Sequence, residues 1–107
     1  MSLDVTLTAT RPTEVYTANI THNLNKMAEA AGIYTILWRP EEGGYTHAKD
    51  LIEPLRIGID ILRRDVRYFE SFNPPNGWGS YSTLVEFATE YLAACEANPD
   101  AVVSVSR

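Results

Sequence analysis

The chain has a single cysteine, Cys95, among its 107 residues. No intramolecular disulfide can form, and no zinc motif can be assembled from thiolates. It has only two histidines, His22 and His47, and neither has a second histidine three or four residues away. A local metal-binding helix motif is therefore missing. No segment approaches the ~20 apolar residues of a membrane span. Met1–Val5 carries no basic leader followed by an apolar core, so a secretory signal is not expected. Positive charge is also scarce. Nine Lys and Arg face fourteen Asp and Glu, a net charge of −5, which disfavours non-specific binding to nucleic acid or to an anionic membrane. Glycine-rich phosphate loops, dinucleotide fingerprints and Gly-x-Ser-x-Gly elbows are absent as well. No cofactor is implied.

What remains is an ordinary globular composition, 45% hydrophobic and 21% charged, in a length that suits one domain spanning 1–107. Domains of this size bury roughly two thirds of their unfolded surface, enough for a core without staples. The expected setting is the cytoplasm.

Hydrophobic periodicity organises the chain. Leu3, Val5 and Leu7 alternate with polar residues, which predicts a half-buried strand over about 2–9. Arg11-Pro12-Thr13 breaks that run, and 13–17 is a candidate short strand returning as a loose hairpin. Ile20, Leu24, Met27, Ala28 and Ala31 share one helical face, so a first helix is expected over about 21–31, closed by Gly32. Ile33–Trp38 is too short for periodicity to decide between strand and helix. Ala48, Leu51, Ile52, Leu55, Ile59 and Leu62 form the cleanest amphipathic helix, with Thr46 as its candidate cap. Pro54 lies inside it and should either kink it or start a new helix. Asp65 is placed to cap a further turn carrying Tyr68, Phe69 and Phe72. Ser80 should cap a last helix whose apolar face is Leu84, Val85, Ala88, Tyr91, Leu92 and Cys95, and 101–106 should be a closing strand. Terminal strands with three to four helices between them imply an α+β two-layer sandwich. In it a small antiparallel sheet is covered by the helices.

Three polar-aromatic islands fall at loops or helix ends, where binding residues tend to sit. The first is "NITHNL", with Asn19, Thr21, His22 and Asn23. The second is "LWRPEE", with Trp38 and Arg39. The third is "NPPNGWGSY", with Asn76, Gly77 and Trp78. Asparagine amides both donate and accept, and suit the edge of an amide or base. The tryptophans offer flat faces, Arg39 a fork for phosphate or carboxylate, and a helix start at Thr21 free N–H groups for an anion. If the islands meet, they make a pocket for a small polar or nucleotide-like ligand. The plainer reading puts Trp38 and Trp78 in the core, gives the glycines turn duty, and pairs Arg39 with Glu41 or Glu42. Cys95, on an apolar helix face, reads as a buried structural thiol. His22 with a nearby carboxylate would instead suit a small hydrolase or transferase.

The stretches "SLDVTL", "NITHNLNKMAEAAGIY", "LWRPEE", "FNPPNGWGSY", "YLAAC" and "VSVSR" resemble, in this order, a group of small uncharacterised proteins of bacteriophages, prophages and bacteria. The resemblance covers essentially the whole chain. It implies a phage-type accessory protein acting in the host cytoplasm against host defence. Two routes fit: sequestering a nucleotide-like signal, or covering a host defence protein with an acidic face as an inhibitor. A homo-oligomer is expected, because a small chain encloses a pocket most easily between subunits.

Overall fold

The computed structural model describes residues 1–9 and 14–107. The expected break at Arg11-Pro12-Thr13 lies outside them. The fold is α+β. Strands β1 (Ser2–Thr8), β2 (Glu14–Thr21) and β3 (Val102–Ser106) form an antiparallel sheet in the order β2-β1-β3. β1 is the central strand because it pairs with both others, and its alternation sets which face of the sheet is buried. Leu3, Val5 and Leu7 are fully buried, and they pair with Ile20, Ala18 and Tyr16 on β2, so these side chains share the inner face. The other face carries Ser2, Asp4 and Thr6 opposite Thr21, Asn19 and Thr17. The alternation of apolar and hydroxyl or amide side chains is that of a sheet covered on one side only.

Five helices follow: α1 (Asn25–Ala30), α2 (Tyr34–Trp38), α3 (Ala48–Arg64), α4 (Val66–Glu70) and α5 (Tyr81–Ala97). That exceeds the three to four expected, because Ile33–Trp38 resolves into a short helix of its own. Gly32, with φ of +80°, separates α1 from it. There the N–H of Ile33 donates to Ala28 O and that of Gly32 to Glu29 O, the paired bonds that close a helix through a left-handed glycine.

The expected first helix over 21–31 needs correcting at its start. Asn19, Ile20 and Thr21 belong to β2, which runs on well past residue 17. Ile20 fits both a helical spacing with Leu24 and a strand alternation with Tyr16 and Ala18. Cross-strand burial beside Leu3 decides for the strand. A single 3-10 turn, His22–Leu24, then leads into α1.

Pro54 neither starts a helix nor divides one, since α3 runs unbroken from Ala48 to Arg64. Its cap is not Thr46. His47 holds that position, and Asp50 Oδ2 accepts from the N–H groups of both His47 and Thr46, each at 3.0 Å. Those bonds to the carboxylate hold Asp50 below the usual carboxyl range. Asp65 does cap α4, its Oδ1 accepting from Tyr68 N–H at 3.2 Å. At the start of α5, Ser80 N–H donates to Thr83 Oγ1.

Helices α3 and α5 pack side by side, linked by the Arg56–Glu96 ion pair and by Tyr81 Oη donating to Leu62 O at 2.7 Å. At Gly58, α3 comes so close to the chain before α2 that an added Cβ would stand 2.1 Å from Ile33 Cγ2. The buried side chains form one cluster, from Leu3 on β1 to Cys95 on α5. Among the described residues no helix is long and apolar enough to cross a membrane.

Candidate ligand-binding cleft

An open cleft of about 530 Å³ lies where β1 begins and β2 ends. Met1, Ser2, Asn19, Thr21, Asn23, Asn76 and Trp78 line it. The first and third polar islands, one ending at Leu24 and the other beginning at Asn73, therefore meet here.

Each wall has a local cause. On the strand side, the antiparallel register sets Ser2 across from Thr21 and Asp4 across from Asn19 on the uncovered sheet face. Asn19 Nδ2 donates to Asp4 Oδ1 at 2.6 Å and to Ser2 Oγ at 2.7 Å. Thr21 ends the strand in an extended conformation, and its Oγ1 accepts from Asn23 N–H at 3.3 Å. A hydroxyl cap of this kind is what the turn onto α1 requires.

On the loop side, Asn73–Ser80 is folded by its own side chains. Asn73 Oδ1 accepts from Tyr81 N–H at 2.8 Å, and Asn76 Oδ1 accepts from Trp78 N–H at 2.9 Å. Gly77 and Gly79 take φ of +76° and +94°, values that L side chains strain to reach. Gly79 also supplies the contact between the walls. A Cβ there would lie 2.9 Å from Thr21 Cγ2 and 3.1 Å from Leu24 Cδ1. The loop backbone thus rests on the β2–α1 junction, which carries Asn76 and Trp78 to the cleft. Trp78 is 69% exposed, whereas most large apolar side chains of the chain are covered.

Four of the residues singled out from sequence take other duties. Gly77 shapes the loop and does not line the cleft. Trp38 is a core residue, 2% exposed, stacked on Tyr34 with ring centroids 5.6 Å apart. It offers no face to a ligand. His22 leaves the cleft between its neighbours Thr21 and Asn23, and its ring meets Trp38 edge-on at 6.2 Å. Its Nε2 is buried and hydrogen-bonds to nothing among the described residues. The open His–carboxylate pair that hydrolysis would need is not formed there. Arg39 is engaged by Tyr34 Oη at 3.2 Å and Glu42 at 2.9 Å. Those two bonds, Tyr34 first, raise its already high pKa. The Trp38 carbonyl accepts from Arg107 Nη1 at 2.7 Å, and the same arginine pairs with Glu41. The second island is a structural knot between α2 and the end of β3.

The anion site expected at the start of the first helix is not available in that form. The 3-10 turn is three residues long, and the Asn23 N–H already serves Thr21. His47 caps α3, bridges to Val102 and meets Thr46 Oγ1 through Nδ1. Cys95 is fully buried, and loss of solvent pushes its thiol up to about 12. A thiol held protonated in this way is a poor nucleophile. Among the described residues no three His, Cys, Asp or Glu side chains come together to hold a metal ion.

Sequence reasoning passed over Met1 and Ser2, and considered Asp4 only as a candidate carboxylate beside a histidine, not as the partner of Asn19. The signal was present in the alternation of β1, whose outward side chains include Ser2 and Asp4. Using it required the β1–β2 register.

No protein-family model, curated protein or solved structure matches the chain. The cleft must be interpreted from its own chemistry.

Proposed function

We propose that the chain is a non-enzymatic binding protein that holds a small polar, nucleoside-like ligand in the cleft between β2 and the Asn73–Ser80 loop. The observation that carries this reading is the convergence of three asparagines, a threonine and an exposed tryptophan on one concavity. A planar ring laid on the Trp78 face would gain stacking that tolerates many bases. Amide and hydroxyl side chains around it would serve the ring's polar edge. Among the described residues the lining holds no Lys, Arg, Asp or Glu side chain. The side chains there offer stacking and neutral hydrogen bonds rather than ion pairs. In a phage-type accessory protein, which the motifs resemble, such a cleft would act by sequestering a small signal of the host's defence. The cleft of one subunit is open, so a second copy across its mouth would enclose the ligand, and a homo-oligomer is the proposed binding unit. The acidic-inhibitor reading has less behind it. Glu41, Glu42, Glu53, Asp60, Glu96 and Asp100 are all engaged by arginine or lysine.

The test is a titration with a panel of nucleosides and nucleotides, followed by Trp emission and by calorimetry. Trp38 is shielded in the core and Trp78 is exposed, so a ligand in the cleft should change the red-shifted part of the emission. Trp78→Ala should weaken binding by about 1–3 kcal/mol, the usual contribution of one base stacked on an aromatic ring. A panel that leaves both emission and heat unchanged would refute the proposal. Native mass spectrometry of the same sample reads the subunit count and any retained ligand.

A further inference from the structure

We infer that the free edge of β2 pairs with the β2 edge of a second copy of the chain, antiparallel across a two-fold axis, so that the two sheets run on as one. The pairing gives the subunit contact proposed above a surface, and it stands whether or not the cleft holds a nucleoside.

Strand β2 is an outer strand, since the sheet order is β2-β1-β3. In an antiparallel ladder, residues bonded to the neighbouring strand alternate with residues whose N–H and C=O point away from it. His22 N–H donates to Met1 O at 3.3 Å, one step beyond the Ser2–Thr21 pair. That bond sets the phase. Ile20, Ala18 and Tyr16 bond to β1, and the N–H and C=O of Val15, Thr17 and Asn19 point out from the sheet edge. Among the described residues no backbone group from elsewhere in the chain bonds to them. Side chains leave the edge clear as well. Asn19 turns back to Asp4 and Ser2, Thr17 Oγ1 donates back to Val5 O at 3.2 Å, and Tyr16 stacks on Tyr91 of α5 with ring centroids 5.9 Å apart.

Proteins blunt an outer strand with lysine, proline, a bulge or a covering segment. Glu14–Thr21 contains neither lysine nor proline, and the register shift at Leu7/Thr8 touches only its start. The opposite edge is managed differently. Val103 N–H donates to Thr46 O at 2.9 Å and Val102 bridges to His47, so the chain entering α3 covers the start of β3.

The occupant that fits the β2 edge is a second copy. A net charge of −5 opposes self-association in general, but the only charge on β2 is Glu14, at its end. A two-fold axis at Thr17 sets Thr17 against itself and Val15 against Asn19 of the second copy. Every outward N–H of these residues then meets a carbonyl. On the inner face Tyr16 falls opposite Ala18 of the second copy, large against small. On the outer face hydroxyl, amide and methyl groups meet, with no like charges opposed. The same placement leaves Thr21 outside the pairing, where the Asn73–Ser80 loop already rests through Gly79. Val15 of the second copy then stands beside Asn19, at the rim of the cleft.

The experiment puts charge on Thr17, which is exposed and does not line the cleft. Without added ligand, the wild-type chain should be a dimer by native mass spectrometry and by sedimentation velocity over a micromolar concentration series. Thr17→Lys and Thr17→Glu each oppose a charge to itself at the axis, and each should weaken the dimer about fivefold. An equimolar mixture of the two should dimerise again as mixed pairs, because opposite charges then meet. Val15→Pro removes only an outward N–H, which an outer strand tolerates, and should weaken the dimer about tenfold or more. Circular dichroism checks that each variant is folded. Val102→Lys, on the other edge, should leave the dimer unchanged. A monomeric wild-type chain would overturn the inference. So would a dimer that neither the charges at Thr17 nor the proline at Val15 disturb, since its contact would lie elsewhere. Nucleoside binding is read separately, so either result leaves the reading of the cleft to its own titration.

Discussion

Replacing Gly79 by alanine should separate the two walls of the cleft, whereas the same change at Gly77 should not. Both glycines have positive φ, +76° at Gly77 and +94° at Gly79. Each substitution therefore carries a conformational cost of about 1–2 kcal/mol. Space distinguishes them. A Cβ at Gly77 meets nothing within 4 Å, whereas one at Gly79 meets Thr21 Cγ2 at 2.9 Å and Leu24 Cδ1 at 3.1 Å. Overpacking of this kind costs a further 1–3 kcal/mol or so. Gly77→Ala should thus lower unfolding stability by about 1–2 kcal/mol, and Gly79→Ala by about 2–5 kcal/mol. Urea unfolding with a constant slope measures both. Thr21→Ser removes the clashing methyl while keeping the hydroxyl that accepts from Asn23 N–H. In the Gly79→Ala background it should recover part of the loss, a coupling of about 1 kcal/mol in a double-mutant cycle. Trp78 emission should shift in Gly79→Ala, because the loop has lost its seat. Equal costs at the two glycines, with no coupling to Thr21, would refute the idea that Gly79 joins the walls.

Three other perturbations follow from the same geometry. Gly58→Ala gains about 1 kcal/mol of helix propensity, but its Cβ would stand 2.1 Å from Ile33 Cγ2; a net loss of unfolding stability, relieved by Ile33→Ala in a double-mutant cycle, is expected. Pro54→Ala restores a missing N–H inside α3 and should raise the melting temperature, because an interior proline costs a helix about 3 kcal/mol. Asp50 has a depressed pKa in the folded chain, so its contribution is present above the unfolded carboxyl pKa of about 4 and fades as pH falls through the folded value. Asp50→Asn should therefore lower stability at neutral pH and flatten the stability profile below about pH 4, as read by urea titrations across pH.

How much of this was legible in the sequence depended on whether a single period decided the matter. Along β1, Leu3, Val5 and Leu7 admit only an alternation, which sets the buried face of the strand; its place at the centre comes from its two pairings. Along α3, six apolar residues keep one face, strongly enough that Pro54 does not end it. Ile20 was the ambiguous residue. It satisfies a helical spacing forward and a strand spacing backward, and only pairing with Leu3 resolves it. The islands failed or succeeded on the same ground. Asn and Trp at loop ends mark surface chemistry, but burial separates Trp38 from Trp78, and burial is a tertiary quantity. Trp38 was lost to the core because Tyr34, one helical turn earlier, stacks on it. Trp78 stayed outside because two left-handed glycines flank it. The meeting of Asn19 with Asn76 is set by Gly79 lying against Thr21, a contact between residues that no local pattern links. Asp4 needed the register as well. Only when it stands opposite Asn19 does an exposed aspartate on a strand become the group that fixes which way an amide points. The chemistry of the cleft is therefore a product of pairing, since the same side chains one register away would face opposite sides of the sheet.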